Sequence, residues 1–229
     1  MRIFLQTDRL TLRRFTEADA DNLFELNRDP EVMRFLHGQP TPRDEVRTRI
    51  IPTFLGYYER FEGFGFWAAV EIATGQFLGW FHFRPPIRDE DMPAGWDEDG
   101  VAELGYRLRR SAWGKGYATE GSMALIDKGF TEFGVRRVVA ETMAGNWASR
   151  RVLEKSGLIQ VDALASAGPD TAASAGPDTA ASAGPDAVIS AGPDAAASAG
   201  PDAAASAGQD HVVYELTLAG WQARHNPVG

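Results

Sequence analysis

The amino-acid sequence predicts an α/β (α+β) domain whose sheet is at least partly antiparallel. Two apolar segments, 66–70 and 77–83, flank Ala73-Thr74-Gly75-Gln76, a pattern typical of an antiparallel hairpin. A strand-like segment at 102–108 then leads through a glycine-rich loop into a stretch from Tyr117 to Phe133 that is long enough for a helix. A strand, a loop and a helix in this order indicate that helices flank the sheet.

The amino-terminal third is predicted to be mainly helical. Thr16 and Asp19 form a capping-box signal for a first helix, and Asp29-Pro30 ends it. A second helix is expected to begin at Thr41-Pro42, with proline in its first turn, and Pro52 is expected to kink it.

The segments that follow the hairpin carry the remaining predicted elements. Gly105 lies within the strand at 102–108 and marks a possible bulge. A β-branched strand is predicted from Arg137 to Thr142, and a helix from Ser149 to Lys155 ends at Gly157 as its C-cap.

A low-complexity insertion divides the chain. Residues 1–161 and 210–229 are predicted to form the domain, and residues 162–209 to form an octapeptide-repeat insertion before the last strand. The repeat Ser-Ala-Gly-Pro-Asp-Xaa-Ala-Ala begins at Ser166, Ser174, Ser182, Ser190, Ser198 and, degenerately, Ser206. A Gly-Pro pair in most units interrupts any helix, and alanine and serine supply little apolar bulk, so we expect disorder.

Composition narrows the possible partners and compartment. A formal net charge of −9 argues against nucleic-acid binding and favours a cationic partner. The absence of cysteine excludes disulfides and thiolate chemistry, and a metal site is not expected. No signal peptide and no apolar run of the ~18 residues that a membrane helix needs are recognised, so a cytoplasmic protein without membrane contact is the expectation.

The glycine loop predicts a site for a phosphate-bearing ligand. Gly114 and Gly116 open a predicted helix, so successive backbone N–H groups can approach a pyrophosphate where the helix dipole favours negative charge. Lys115 adds a full positive charge. The spacing fits neither a Walker loop nor Gly-x-Gly-x-x-Gly, because Thr119 occupies the position of the third glycine.

Four motifs in order resemble those of the GCN5-related N-acetyltransferases (GNAT), in the branch similar to ribosomal-protein N-terminal acetyltransferases. They are Thr7-Asp8-Arg9-Leu10-Thr11-Leu12-Arg13, Glu103-Leu104-Gly105-Tyr106, Trp113-Gly114-Lys115-Gly116-Tyr117-Ala118-Thr119-Glu120, and Asn146-x-x-Ser149-x-x-Val152-Leu153-Glu154-Lys155-x-Gly157. The resemblance covers nearly all of the chain outside the repeats. It implies a mixed, mostly antiparallel, splayed sheet with acetyl-CoA between the strand ending near Leu108 and the strand before Asn146.

The resemblance also implies a set of acetyl-CoA contacts. The pyrophosphate loop corresponds to Ser111 through Gly116, the helix start to Tyr117 and Ala118, and the pantetheine-contacting residue to Asn146, which otherwise only begins a helix. The complete predicted set is Arg107, Leu108, Ser111, Gly114, Lys115, Gly116, Tyr117, Ala118, Asn146, Ser149 and Arg151. Backbone N–H groups of Arg107 and Leu108, at the presumed bulge, are candidates for stabilising the oxyanion.

Three residues are candidates for proton transfer. Acetyl transfer needs an amine that has lost its proton, and Glu103, at the start of its strand, is the first candidate base. Its alternative is an ion pair with a nearby arginine. His82 is a second candidate base, or a structural strand histidine, and Ser149 either protonates the leaving sulfur or caps a helix. Leu153 stands where many relatives carry a tyrosine acid, and Ser111 also departs from the common pattern.

The predicted reaction is acetyl transfer from acetyl-CoA directly to a primary amine, either a protein N-terminus or a small molecule. The alternative is a catalytically weak CoA-binding or interaction protein with a repeat arm. The acidic segment Asp89–Asp99 is expected to attract a cationic acceptor. Aromatic residues at Tyr57, Tyr58 and Phe61 are expected to be exposed and to contribute to a homodimer.

Overall fold

The computed structural model describes residues 2–36, 40–86, 93, 95–161 and 211–225. Within these residues the chain forms one sheet of eight strands: β1 (Ile3–Gln6), β2 (Leu10–Arg14), β3 (Gly65–Glu71), β4 (Phe77–Arg84), β5 (Val101–Leu108), β6 (Arg137–Met143), β7 (Ile159–Val161) and β8 (His211–Thr217).

Helices separate the strands and cover the sheet. They are α1 (Ala20–Asn27), α2 (Pro30–Met33), α3 (Arg43–Glu45), α4 (Ile51–Arg60), α5 (Tyr117–Glu132), α6 (Trp147–Lys155) and α7 (Leu218–His225). A 3₁₀ turn at Glu17–Asp19 precedes α1, and a second, Arg110–Ala112, follows β5. A π-helical segment, Val46–Ile50, joins α3 to α4, and Pro52, which was expected to kink the helix, lies in the first turn of α4.

The strand order is β1-β2-β3-β4-β5-β6-β8-β7. The two central neighbours β5 and β6 are parallel, and each other pair of neighbours is antiparallel. The prediction of a mixed, mostly antiparallel sheet flanked by helices is therefore confirmed.

The parallel pair is unusually short. Val101–Glu103 of β5 pairs with Arg137–Val139 of β6, and the pairing stops there. Beyond this point β5 stays with β4 as far as Leu108, and β6 stays with β8 as far as Met143. The two central strands therefore diverge and leave a gap at the carboxyl end of β5.

Side chains alternate between the two faces of the sheet and build two cores. On β4, Phe81 and Phe83 pack with α5, whereas Trp80 packs with α1 and α4. His82 contacts Trp80 on this second face, at 5.9 Å between ring centroids. Trp80 and His82 are thus separated from the α5 core by the sheet itself.

The capping box of Thr16 and Asp19 is confirmed, at the start of the 3₁₀ turn that leads into α1, and it serves a second purpose. The Asp19 carboxylate accepts hydrogen bonds from Thr16 N at 2.9 Å and from Thr16 Oγ1 at 3.1 Å. It also forms a buried ion pair with Arg13 of β2, at 2.6 Å. One carboxylate therefore begins the helix and fixes it to the sheet.

Two sequence expectations about β5 and α4 were wrong. The register between β4 and β5 is continuous at Gly105, and the irregularity lies instead between β3 and β4, where Leu78 is the extra residue. The aromatic residues expected at an exposed dimer surface are largely inside: Tyr57 is 5% exposed, and Tyr58 and Phe61 are partly buried. Aromatic rings on α4 pack against the sheet because that side of the helix faces it.

The repeat lies outside the described residues, so its predicted disorder is untested. The strands on either side of it, β7 and β8, pair antiparallel from Ile159 with Glu215 to Val161 with Val213. Among the described residues no helix combines the length and apolar character needed to span a membrane.

Gly79 is predicted to be irreplaceable at the Leu78 irregularity. Its φ is +142°, and an added Cβ would lie 2.1 Å from the carbonyl oxygen of Arg107 on β5. We expect Gly79→Ala to lower the unfolding free energy by about 2–3 kcal/mol, because strand backbone must move. Gly75→Ala, at φ +71° with open space around the added Cβ, should lower it by only about 1 kcal/mol. Urea titrations of both variants measure the difference, and equal losses would contradict the steric explanation.

Candidate active site

The glycine loop adopts the conformation that the sequence predicted for an anion cradle. Gly114 and Gly116 have φ values of +71° and +85°, and Gly116 is the N-cap of the 16-residue helix α5. A Cβ added to Gly114 would meet no atom within 4 Å. The loop therefore leaves room in front of backbone N–H groups at a helix N-terminus, where a pyrophosphate would fit.

The amino-terminal motif holds this loop in place. Arg9 donates from Nη1 to the carbonyl oxygen of Lys115 at 2.9 Å and from Nε to Glu120 at 2.7 Å. Thr7 donates to the other oxygen of Glu120 at 2.5 Å, and the Arg9 guanidinium lies over the Tyr117 ring at 4.5 Å. We call Thr7, Arg9 and Glu120 the loop clamp. The three residues belong to two separate sequence motifs, and nothing in the sequence signals their mutual contact.

The predicted loop residues differ in what they present to a ligand. Ser111, Gly114, Lys115 and Gly116 are exposed. Tyr117 instead buries its ring in the core and donates its hydroxyl to Glu71, while Ala118 is partly buried. Tyr117 and Ala118 can therefore serve a phosphate only through their backbone N–H groups.

The far side of the gap is formed by the start of α6. The Asn146 side chain caps this helix, because its Oδ1 accepts a hydrogen bond from Ser149 N at 3.2 Å. Asn146 can therefore begin the helix and also contact pantetheine, because capping fixes its side chain at the edge where pantetheine is predicted. Ser149 follows within the first turn and is partly exposed.

A hydrogen-bonded contact joins β5 to α6. The Tyr106 hydroxyl lies 3.0 Å from Ser149 Oγ and donates to the Ser149 carbonyl oxygen at 3.2 Å. Burial raises the pKa of Tyr106, so its hydroxyl stays protonated at any physiological pH. Leu153, at the position of the usual tyrosine acid, is 2% exposed and belongs to the core.

Glu103 lies at the last position of β5 that pairs with β6, and it is part of a buried charged cluster. Its carboxylate is 2.9 Å from Arg84 Nη2 and 3.5 Å from His82 Nε2. Burial opposes its ionisation, but Arg84 and His82 outweigh burial and lower the pKa of Glu103 to about 2. The ion pair that the sequence left open is thus present, and Glu103 remains ionised across the working pH range.

The low pKa of Glu103 bears on its predicted role as a base. A carboxylate that gives up its proton near pH 2 holds one weakly, although its charge still attracts a cation. His82 is only 4% exposed and bridges Glu103 to the aromatic residues of the second face. The roles of Glu103 and His82 as proton acceptors stay predictions.

Arg107 and Leu108 lie in regular pairing with β4, without a bulge, and their side chains are fixed on opposite faces of the sheet. Arg107 is buried, donates to Asn27 Oδ1 of α1 at 2.7 Å, and lies over the Trp80 ring at 5.1 Å. Leu108 packs in the α5 core, and its carbonyl oxygen accepts from Trp113 Nε1 at 2.7 Å. The proposal that their N–H groups bind an oxyanion therefore loses the bulge on which it was based and stays a prediction.

Comparison with known proteins identifies the family of this site. Residues 9–159 match the family model described as an acetyltransferase (GNAT) domain. The chain belongs to the GNAT acetyltransferases. It is accordingly an acyltransferase that uses acetyl-CoA as its acetyl donor, and the motif resemblance to this family is confirmed.

Two relatives show the extent of the similarity. The chain is 34% identical over 159 residues to FsC-acetyl coenzyme A-N(2)-transacetylase of Aspergillus fumigatus, covering 69% of this chain and 66% of the relative. It is also 35% identical over 155 residues to the uncharacterized protein YkkB of Bacillus subtilis. This match covers 67% of this chain and 84% of YkkB.

Solved GNAT structures share the fold. A GNAT-family acetyltransferase from Bordetella pertussis superposes with a TM-score of 0.62 at 20% identity, over 94% of this chain and 99% of that one. The structure of AAC(6')-Ib in complex with ribostamycin and coenzyme A superposes with a TM-score of 0.54 at 22% identity. The superposition covers 67% of this chain and 85% of AAC(6')-Ib.

Two arginines on α6 of this GNAT chain differ in whether they are available to a phosphate. Arg151 is exposed, whereas Arg150 is bound to Tyr214 at 3.0 Å and to Gln160 at 2.9 Å. Arg151 is therefore the better of the two for a phosphate contact. No three His, Cys, Asp or Glu side chains cluster as metal ligands would in the part of the chain that is described.

The second half of the acidic segment is fixed to the sheet. Trp96 is 4% exposed and packs with Val101, Val139 and Val213. This face of β5 also carries Glu103, two residues after Val101. The exposed residues 97–99 lie just before β5, where Glu98 is 3.6 Å from Arg137 Nη2, while residues 87–92 and 94 lie outside the described part.

The loop clamp predicts a selective effect of Arg9 on acetyl-CoA binding in this GNAT enzyme. Arg9→Gln should raise the acetyl-CoA Kd about tenfold, because the Lys115 carbonyl and Glu120 lose their shared partner and the loop is no longer pre-organised. Arg9→Lys should rescue binding poorly, since one ammonium cannot replace the guanidinium fork. Calorimetric titration measures both, with the exposed Arg2→Gln as the matched control. Full rescue by lysine would mean that charge alone matters.

Proposed function

We propose that this chain transfers the acetyl group of acetyl-CoA directly to a primary amine within a ternary complex. The observation that carries the proposal is the pre-formed glycine cradle at the N-terminus of α5, beside the gap where β5 leaves β6. The cradle suits the pyrophosphate, and the gap offers the unpaired edge of β5 to the pantetheine arm.

The predicted contacts divide by the part of acetyl-CoA they would hold. The N–H groups of residues 114–118, together with Lys115, would bind the phosphates, and Arg151 would add a charge from α6. Asn146 would contact the pantetheine arm. Acetyl-CoA supplies an activated acyl group, and the protein supplies its orientation toward the amine.

The acceptor side is proposed to select a positively charged amine. Glu103 is ionised, and the exposed carboxylates 97–99 precede the same strand, so a protonated amine would be attracted before it must lose its proton. Deprotonation then falls to Glu103 or His82, directly or through water.

A small-molecule amine is the acceptor class that the comparisons favour. The Aspergillus relative is named an N(2)-transacetylase. The structural neighbour AAC(6')-Ib is named an aminoglycoside acetyltransferase. A protein N-terminus, as in the ribosomal-protein acetyltransferase branch, is the other candidate. An amine panel that contains polyamines, aminoglycosides and N-terminal peptides separates the two.

The repeat insertion is proposed to be an expanded loop of the acetyltransferase domain. Antiparallel pairing of β7 with β8 supports this division into 1–161 plus 210–229 and the insertion 162–209. Loop-closure entropy rises slowly with length, so a long insertion at this point is compatible with a folded domain.

The cradle is tested by acetyl-CoA binding before any acceptor is sought. We expect saturable one-site binding to the wild-type chain in a calorimetric titration and loss of at least about tenfold in affinity in Gly116→Asp, because a carboxylate then stands at the helix N-terminus in a left-handed conformation. Gly75→Ala, in the hairpin turn, is the control. A folded wild-type chain that binds no acetyl-CoA would overturn the proposed function, and binding without turnover on the whole panel would favour the non-catalytic alternative.

The acidic segment should govern the acceptor and leave acetyl-CoA unaffected. Neutralising Asp97, Glu98 and Asp99 to their amides should raise the acceptor KM and weaken its dependence on salt, while the acetyl-CoA KM stays constant. A matched triple variant removes the same charge elsewhere, at Glu17, Glu59 and Glu132. Equal effects of the two triple variants would show that only net charge matters.

A further inference from the structure

We infer that Tyr106 is a positioning residue that aims the Ser149 hydroxyl at the sulfur of CoA as the thioester breaks. The inference rests on the proposed function and extends it to the departure of the thiolate. It assigns a hydrogen-bond donor to a chain whose core residue Leu153 stands where many relatives carry a tyrosine.

The contact is placed where the leaving group would lie. Tyr106 belongs to the part of β5 that has left β6, and Ser149 lies one turn after Asn146 at the start of α6. Their oxygens are 3.0 Å apart, so the contact ties the two walls of the gap together. Ser149 is partly exposed, and a ligand in the gap can therefore reach its hydroxyl.

The two hydroxyls can share their protons in two ways. When Tyr106 donates to the Ser149 carbonyl at 3.2 Å, Ser149 can donate back to Tyr106. When Tyr106 donates to Ser149 Oγ, the single Ser149 proton is free to point into the gap. The carbonyl keeps its helical hydrogen bond in either case, so changing from the first arrangement to the second leaves no buried acceptor without a partner.

The chemistry needs only a donated hydrogen bond. As the amine nitrogen bonds to the acetyl carbon, the carbon–sulfur bond breaks and its electron pair goes to sulfur. Ser149 donates to this developing thiolate and keeps its proton, and Tyr106 donates to Ser149 Oγ in turn. The thiolate later takes a proton from water, and the proton lost by the amine passes to the base or to water.

Burial makes Tyr106 suited to this position. Its pKa is raised, so the ring does not become an anion that would repel a thiolate. Leu153 cannot share the task, because its side chain is in the core and carries no donor. In the described part of the chain, the Tyr106–Ser149 contact is the hydroxyl pair that bridges β5 and α6.

The test measures the thiol pKa of bound CoA, which needs no acceptor. Titration of the CoA complex followed by thiolate ultraviolet absorbance should show a pKa about one unit higher in Tyr106→Phe than in wild type, or about tenfold less thiolate at a given pH. Ser149→Ala should raise it at least as much, and Ser149→Thr, which keeps the hydroxyl, should stay near wild type. Tyr58→Phe, which removes a partly buried hydroxyl hydrogen-bonded to Phe15 and Phe66, is the matched control and should leave it unchanged.

Turnover with the best acceptor of the amine panel gives the second readout. Tyr106→Phe should lower kcat about tenfold and leave the acetyl-CoA KM within about twofold. The Tyr106→Phe/Ser149→Ala double variant should be no slower than Ser149→Ala, because Tyr106 acts through Ser149. If Tyr106→Phe fails to fold, 3-fluorotyrosine at position 106 keeps the shape and should lower the bound thiol pKa.

The outcomes separate this inference from the proposed function. An unchanged thiol pKa in Tyr106→Phe, or multiplying losses in the double variant, overturns the role of Tyr106 while leaving acetyl transfer intact. A wild-type chain that does not bind CoA overturns the proposed function and this inference with it.

Discussion

The early end of the β5–β6 pairing is the constraint on which the site depends. Three paired residues, Val101–Glu103, hold the centre of the sheet together, and β4 and β8 then carry the two strands apart. The divergence exposes an edge of β5 inside the protein, places Glu103 at the vertex, and leaves Tyr106 to reach α6. A longer parallel pairing would close the gap and remove the place for an acyl donor.

The glycine cradle depends on contacts from a distant part of the chain. Two left-handed glycines let the backbone turn into α5, but a loop of this kind is held by what surrounds it. Thr7 and Arg9, more than a hundred residues earlier, bind Glu120 and the Lys115 carbonyl. The amino-terminal segment thus supports the loop that we propose as the acetyl-CoA cradle, which is consistent with its motif accompanying the glycine motif in the family resemblance.

Charge is distributed unevenly between the two sides of the site. Lys115 and the N–H groups at the start of α5 lie at the proposed cradle, whereas ionised Glu103 and the exposed carboxylates 97–99 lie on β5 and just before it. Under the proposed function, a chain of net charge −9 would hold an anionic donor and attract a cationic acceptor, because short-range contacts act on each ligand locally.

The sequence by itself determined the family, the first helix and the elements from β3 to α6, because hydrophobic period, the capping box at Thr16 and the glycine loop are local signals. It also placed Asn146 and Ser149 at the start of α6. Only the tertiary structure decided that Glu103 pairs with Arg84, that the irregularity lies at Leu78 rather than Gly105, and that Tyr106 meets Ser149. These are contacts between residues far apart in the chain, and strand register and packing, which fix them, have no local signature in the sequence.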